Sequence, residues 1–195
     1  MSSTRRRSLL VGTLLGLAVT LIAVAGVRIA SDGDDRADAR LAEPGGTQIP
    51  GIATQGDVTG RALPEAGFAL LDGGEFRFDN LAGTPLVVNL WASWCGPCVA
   101  EMPDFQRVYE QVGDRVEFVG VNHSDNEDAA RELADRTGVQ YPLVRDPTGS
   151  VAATLEAARM PTTFFVDATG HVVGVHPGEL SAAELRAEID ELFPP

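Results

Sequence analysis

An uninterrupted apolar run that leads straight into a helical pattern limits the folds open to this chain. Residues 85–93 read PLVVNLWAS, and residues 96–112 then show the spacing of an amphipathic helix. A strand that is apolar on both faces has to be covered on both faces, which is typical of a central strand in an α/β sheet. The run therefore predicts a buried strand with helices packed around it.

Strand and helix patterns alternate along the rest of the chain. Residues 68–72 and 75–78 flank two glycines and predict a β-hairpin. Further strands are expected at 116–122, 141–145, 162–167 and 171–176, and further helices at 126–138, 149–157 and 181–193. This order indicates an α/β fold, with a mixed central β-sheet flanked by helices.

The N-terminus carries a targeting or anchoring signal. Arginines at positions 5–7 precede an uncharged stretch over residues 8–27, which at about 20 residues is long enough to cross a bilayer. The arginines predict that this end stays cytoplasmic. An uncleaved anchor is favoured because the run is long for a signal peptide, and cleavage near residues 23–25 is the alternative. Both interpretations place the remaining chain outside the cytoplasm.

Three segments follow from these patterns. Residues 1–30 are the anchor or signal, residues 31–57 are polar and rich in Gly and Pro, as in a flexible linker, and residues 58–195 form the folded domain. The formal net charge is −13, and the domain has no cluster of basic residues. Nucleic acid is therefore not an expected partner.

Cys95 and Cys98 are the only cysteines of the chain, and they flank Gly96-Pro97 at the predicted start of a helix. The unpaired N–H groups and the dipole at a helix N-terminus stabilise a thiolate. The two-residue gap allows Cys98 to resolve a mixed disulfide formed on Cys95. Helical spacing places Cys98 on the buried face, whereas Cys95 is expected to stay exposed.

Three further features leave alternatives open. Glu101 lies on the apolar side of the helix, where it is either a buried proton donor for Cys98 or reaches solvent. The Met160–Pro161 bond precedes a strand and is either cis, presenting the Met160 backbone to a substrate peptide, or an ordinary trans turn. His123 lies at the carboxyl end of a predicted strand, where functional sites often lie, and is interpreted as a loop histidine in preference to a site residue.

These motifs resemble a known family. WCGPC after an apolar strand, with Met160-Pro161-Thr162 later in the chain, resembles the thioredoxin superfamily over residues 60–193. The N-terminal anchor and the stretch MPTTFFVDATGHVV resemble its extracytoplasmic TlpA/ResA/DsbE-like branch. The resemblance implies a thioredoxin fold with an N-terminal β-hairpin extension and an inserted strand and helix.

The resemblance also implies roles for individual residues. Cys95 would be the nucleophile and Cys98 the resolving thiol of a redox-active disulfide, Pro161 would be cis, and Glu101 would modulate thiol acidity. Asn89 departs from cytoplasmic thioredoxins, which carry a buried Asp at that position, and it cannot act as a base. The residues expected to contact substrate are Trp94, Gly96, Pro97, Met160 and Pro161.

The expected function is thiol–disulfide exchange with exported proteins, without a cofactor. We favour a reductant, for example in cytochrome c maturation, which needs electrons from a membrane partner. An oxidant that inserts disulfides is the first alternative. A module that binds a metal or metallochaperone is the second, although zinc needs four ligands and the three histidines are scattered. No metal is expected, and a thiol peroxidase would require a different motif around the cysteine.

Overall fold

The computed structural model describes residues 56–195. The predicted anchor, and the predicted linker up to residue 55, lie outside the described residues. Among residues 56–195, none of the helices has the length and apolar character needed to cross a bilayer.

The described residues form seven strands, four α-helices and one short 3₁₀ helix. The strands are β1 (Phe68–Leu70), β2 (Glu75–Phe76), β3 (Leu86–Trp91), β4 (Glu117–His123), β5 (Leu143–Asp146), β6 (Thr162–Val166) and β7 (Val172–Pro177). The helices are α1 (Gly96–Val112), α2 (Glu127–Thr137), α3 (Ser150–Thr154) and α4 (Ala182–Leu192), and the 3₁₀ helix is Phe78–Leu81. Every element expected from the sequence is present. Helix α3 is shorter than predicted, since Glu156 has a φ of 49°, a left-handed conformation that ends a helix.

All seven strands belong to one mixed sheet in the order β2-β1-β5-β4-β3-β6-β7. Strand β3 pairs parallel with β4 and antiparallel with β6, and β4 pairs parallel with β5. The carboxyl ends of β3 and β4 therefore meet at the same edge of the sheet. The segments that follow these two strands are brought together there.

The side chains of β3 point alternately to the two faces of the sheet, and both faces are covered, which explains why the whole strand is apolar. Val87 and Trp91 join the hydrophobic cluster under α1 and α4, whereas Val88 and Leu90 join the cluster on the opposite face. Each of these side chains is fully buried, and burial of a large aliphatic side chain stabilises the fold by roughly 1.5–3 kcal/mol. The prediction of a strand covered on both faces is confirmed.

Local capping sets the ends of two helices. The Asn126 side chain accepts a hydrogen bond from the Ala129 amide at the start of α2, and Gly138 ends that helix with a φ of 69°. Ser181 and Glu184 form a capping box at the start of α4. These signals act within a few residues, so the sequence alone could show them.

Candidate active site around the cysteine pair

The cysteine pair lies where β3 passes into α1. Cys95 is the N-cap of α1, and its Sγ atom accepts a hydrogen bond from the Cys98 amide at 3.3 Å. Pro97 occupies the first turn, where a missing N–H leaves no hydrogen bond unmade. The Cys95 sulfur therefore lies at the positive end of the helix, where a thiolate is stabilised.

Cys95 and Cys98 are joined by a disulfide. Cys98 is completely buried, as its place on the apolar face predicts, and Cys95 is only 6% exposed. The expectation that Cys95 stays exposed was wrong for this disulfide form, because its sulfur is bonded to the buried Cys98. Cys95 nevertheless lines an open groove.

The groove beside Cys95 has a volume of about 490 Å³. Trp94, at its rim, is 63% exposed and is the one large apolar side chain so exposed in the described part of the chain. The Met160–Pro161 bond is cis, which decides between the two alternatives left by the sequence. Four of the residues predicted to contact substrate line this groove, namely Trp94, Gly96, Pro97 and Met160.

Glu101 is buried one turn beyond Cys98, with 2% of its surface exposed. Burial raises its pKa to about 7, although hydrogen bonds from the Leu180 amide at 3.0 Å and the Asn89 side chain at 2.9 Å oppose the rise. The charge of Glu179 adds to the increase. A carboxyl with this pKa exchanges its proton near neutral pH.

Asn89 is the partner of this carboxyl. Its Nδ2 atom donates to Oε1 of Glu101 and, at 3.3 Å, to Oγ1 of Thr163. An uncharged side chain on β3 therefore faces a titratable one on α1. Where thioredoxins carry an Asp on this strand, the chain thus has Asn89, and the acid at this place is Glu101 on the facing helix.

Asp125 holds the loop that precedes Cys95, and the sequence reasoning missed it. Its carboxylate accepts hydrogen bonds from the Ser93 amide at 2.6 Å, the Ser93 hydroxyl at 2.7 Å, the Asn122 side chain at 2.8 Å and the Asn126 amide at 2.8 Å. Burial alone would raise its pKa, but these hydrogen bonds lower it overall. Asp125 directly follows β4, which is parallel to β3. That position was the signal from which its proximity to the loop after β3 could have been predicted.

Two basic residues of the groove were not predicted as site residues. His123, interpreted as a loop histidine, lies at the end of β4 and lines the groove, as does Arg159. Within residues 56–195, no group of three or more His, Cys, Asp or Glu side chains is arranged to hold a metal ion.

Comparison with known proteins identifies the family. The sequence profile described as Redoxin matches residues 58–191. The chain belongs to the redoxin family. Its redoxin domain has the thioredoxin fold and is a thiol–disulfide oxidoreductase, as the sequence predicted.

Three relatives illustrate this membership. The thiol–disulfide oxidoreductase ResA of Geobacillus thermodenitrificans is 28% identical over 140 residues, which are 70% of this chain and 79% of ResA. The solved structure of MTB DsbF, in mixed oxidised and reduced forms, is 32% identical, with a TM-score of 0.62 over 67% of this chain and 99% of DsbF. A secreted thiol–disulfide isomerase from Corynebacterium glutamicum is 25% identical, with a TM-score of 0.60 over 68% of this chain and 83% of the isomerase.

Proposed function

We propose that this redoxin reduces disulfides in proteins outside the cytoplasm, with Cys95 as nucleophile and Cys98 as resolving thiol. The observation that carries the proposal is the asymmetry of the pair. One sulfur lines an open groove at a helix N-terminus, and the other, bonded to it, is completely buried. A substrate can therefore reach Cys95 but not Cys98.

The proposed exchange has two steps. The Cys95 thiolate attacks one sulfur of a substrate disulfide, forming a mixed disulfide and releasing the other substrate sulfur as a thiolate. The Cys98 thiolate then attacks Cys95, which releases the second substrate sulfur and leaves the Cys95–Cys98 disulfide. Two electrons pass from the pair to the substrate, and the two released sulfurs take up protons.

The buried acid favours the reducing direction. Glu101 follows Cys98 by three residues on α1, so the two side chains lie on neighbouring turns. When Glu101 is ionised, its charge disfavours a thiolate at Cys98. A site that does not strongly stabilise its reduced thiolate form is a weak oxidant, in contrast to DsbA, whose reduced form is stabilised.

The groove is proposed to hold an extended segment of the substrate. Trp94 offers an exposed apolar face, and Gly96-Pro97 leaves the approach to Cys95 open. Met160 lies along the same groove, and Pro161 fixes the backbone beside it. Backbone contacts of this kind suit many sequences, so this part of the site does not distinguish one protein substrate from another.

The same proposal covers location and electron supply. Residues 1–30 would anchor the chain in the membrane or direct its export, residues 31–57 would form a linker, and residues 58–195 would work outside the cytoplasm. The existence of a secreted isomerase among the relatives supports an extracytoplasmic site. Each turnover oxidises the pair, so a membrane partner would have to re-reduce it. Cytochrome c maturation is one process that needs such a reductant.

Two measurements on the purified protein test the proposal. A reduction potential near the −270 mV of thioredoxin, rather than near the roughly −120 mV of DsbA, is expected of a reductant. Cys98→Ser is expected to accumulate mixed disulfides on Cys95, whereas Cys95→Ser should trap none, because the nucleophile is missing. A potential close to that of DsbA would reverse the proposed direction, and equal trapping by both variants would contradict the assigned roles.

A further inference from the structure

The groove beside Cys95 contrasts with the charge of the whole chain. The chain carries 28 acidic against 15 basic residues. The lining of the groove nevertheless contains no Asp or Glu, whereas it contains both His123 and Arg159. The entrance to the reactive sulfur is therefore basic in an otherwise acidic protein.

Arg159 differs from the other arginines of the described residues. Eight of the nine arginines in residues 56–195 have a carboxylate oxygen within 4.0 Å. Arg159 has no ion pair and no side-chain hydrogen bond within this part of the chain, and it is exposed. Glu156, the closest acid in sequence, is paired with Arg61 at 2.8 Å instead.

His123 shows the same lack of a partner. Its Nδ1 atom is buried and makes no hydrogen bond within the described residues. By contrast, His171 lies 3.0 Å from the Thr169 hydroxyl, and His176 lies 3.8 Å from Glu188. A Cβ atom at Gly149 would lie 2.7 Å from Cε1 of His123, so this ring is packed firmly against the backbone. Among residues 56–195, the Arg159 side chain and Nδ1 of His123 thus have no polar partner.

We infer that this groove, through Arg159, selects substrate segments that carry a carboxylate side chain close to the reacting cysteine. The inference rests on the proposed function and names its substrate class. An unpaired guanidinium gains both a hydrogen bond and an ion pair from a carboxylate, but only a hydrogen bond from a neutral amide. A basic segment would be repelled, so the preference arises from attraction and repulsion together.

The position of Arg159 limits where the carboxylate can lie. Arg159 directly precedes Met160, along which the extended segment is proposed to run. Successive residues of an extended segment advance by about 3.3 Å. Because Arg159 and Cys95 line the same groove, the acidic residue is expected within a few residues of the substrate cysteine.

The experiment compares peptides that contain one disulfide and differ at one residue beside the cysteine, which is Glu, Gln or Lys. Full-length reduced protein is mixed with each peptide, quenched with acid at set times and alkylated, and the products are counted by mass spectrometry. The rate constant for the Glu peptide is expected to exceed that for the Gln peptide about three- to fivefold, as for one partly exposed ion pair. The Lys peptide should react slowest.

Matched variants test the role of Arg159. Arg159→Gln is expected to bring the Glu-to-Gln ratio close to one. Arg136→Gln, which removes an exposed arginine of α2 that lies 3.9 Å from Glu132, should retain the wild-type ratio. Added salt should lower the wild-type ratio, since it screens an exposed pair.

The outcomes separate the two proposals. If the protein reduces all three peptides at equal rates, the acidic preference is refuted, and if Arg159→Gln retains the preference, the role of Arg159 is refuted. In both cases the reductase proposal stands. If it reduces none of them, the reductase proposal itself fails.

Discussion

Replacement of Glu101 by glutamine should change how the stability of the oxidised protein depends on pH. Glu101 is buried, and its pKa is raised from 4.5 to about 7, chiefly because burial penalises the charged carboxylate. In the unfolded chain the same carboxyl ionises near its ordinary value. Between these two pKa values the folded protein holds one proton more than the unfolded chain.

The sign and size of the effect follow from this difference. Stability falls with rising pH wherever the folded state binds more protons, so the folded protein loses stability from about pH 4.5 upward. About 2.5 pH units separate the two pKa values of Glu101, and each unit corresponds to about 1.4 kcal/mol. Ionisation of Glu101 therefore costs the folded state about 3 kcal/mol by pH 8.

Glutamine removes the titration but disturbs the hydrogen bonds. Both oxygens of Glu101 accept from N–H donors, one on Asn89 and one on the Leu180 backbone. The Gln carbonyl can retain the Leu180 bond, whereas its amide faces Asn89, whose side chain has to turn to accept. We expect a loss of about 1 kcal/mol at pH 5, the worth of one hydrogen bond, and a net gain over the wild type at pH 8.

The assay is urea unfolding of the oxidised protein at pH 5, 6, 7 and 8. The difference in free energy of unfolding between Glu101→Gln and wild type should rise by about 2.5 kcal/mol across this range, since a small part of the cost is already present at pH 5. Other titrating groups are present in both proteins and cancel. A difference for Glu101→Gln that does not change with pH would refute a raised pKa at this site.

Two further changes test the frame of the site. Asp125→Ala leaves the Ser93 amide without its acceptor. It should therefore lower the free energy of unfolding in urea by roughly 1–3 kcal/mol and slow alkylation of reduced Cys95. An unchanged alkylation rate would show that Asp125 does not position the loop. Gly120→Ala would place a Cβ atom 2.5 Å from Cδ2 of Leu143 and should destabilise the protein by about 1–3 kcal/mol. An equal loss in Gly67→Ala, where the nearest atom to Cβ would be Nη1 of Arg77 at 4.0 Å, would contradict that cause.

Much of the fold could be predicted because its signals are local or periodic. Residues 85–93 required a strand covered on both faces, and the structure places β3 inside the sheet. The helical period put Cys98 on the buried face, where it is found. The bounds of α1 agree with the prediction at both ends.

The surroundings of the cysteine pair were predicted less well. The burial of Glu101 and the geometry of the Met160–Pro161 bond were left open, because helical spacing or a neighbouring strand is compatible with either state. Asp125 was missed since its partner, Ser93, is 32 residues away in sequence. Such contacts depend on which strands become neighbours, and a single sequence does not state this.

The sequence by itself determined the elements, the position of both sulfurs at a helix start and the chemistry open to them. The tertiary structure decided the rest, since only the packing of distant segments brings Asn89 and Leu180 onto Glu101 and places Arg159 in the groove that Cys95 lines. Periodicity and caps act over one or two turns. The desolvation of a charged group depends on every segment that packs against that group. The same segments decide whether the group has a partner.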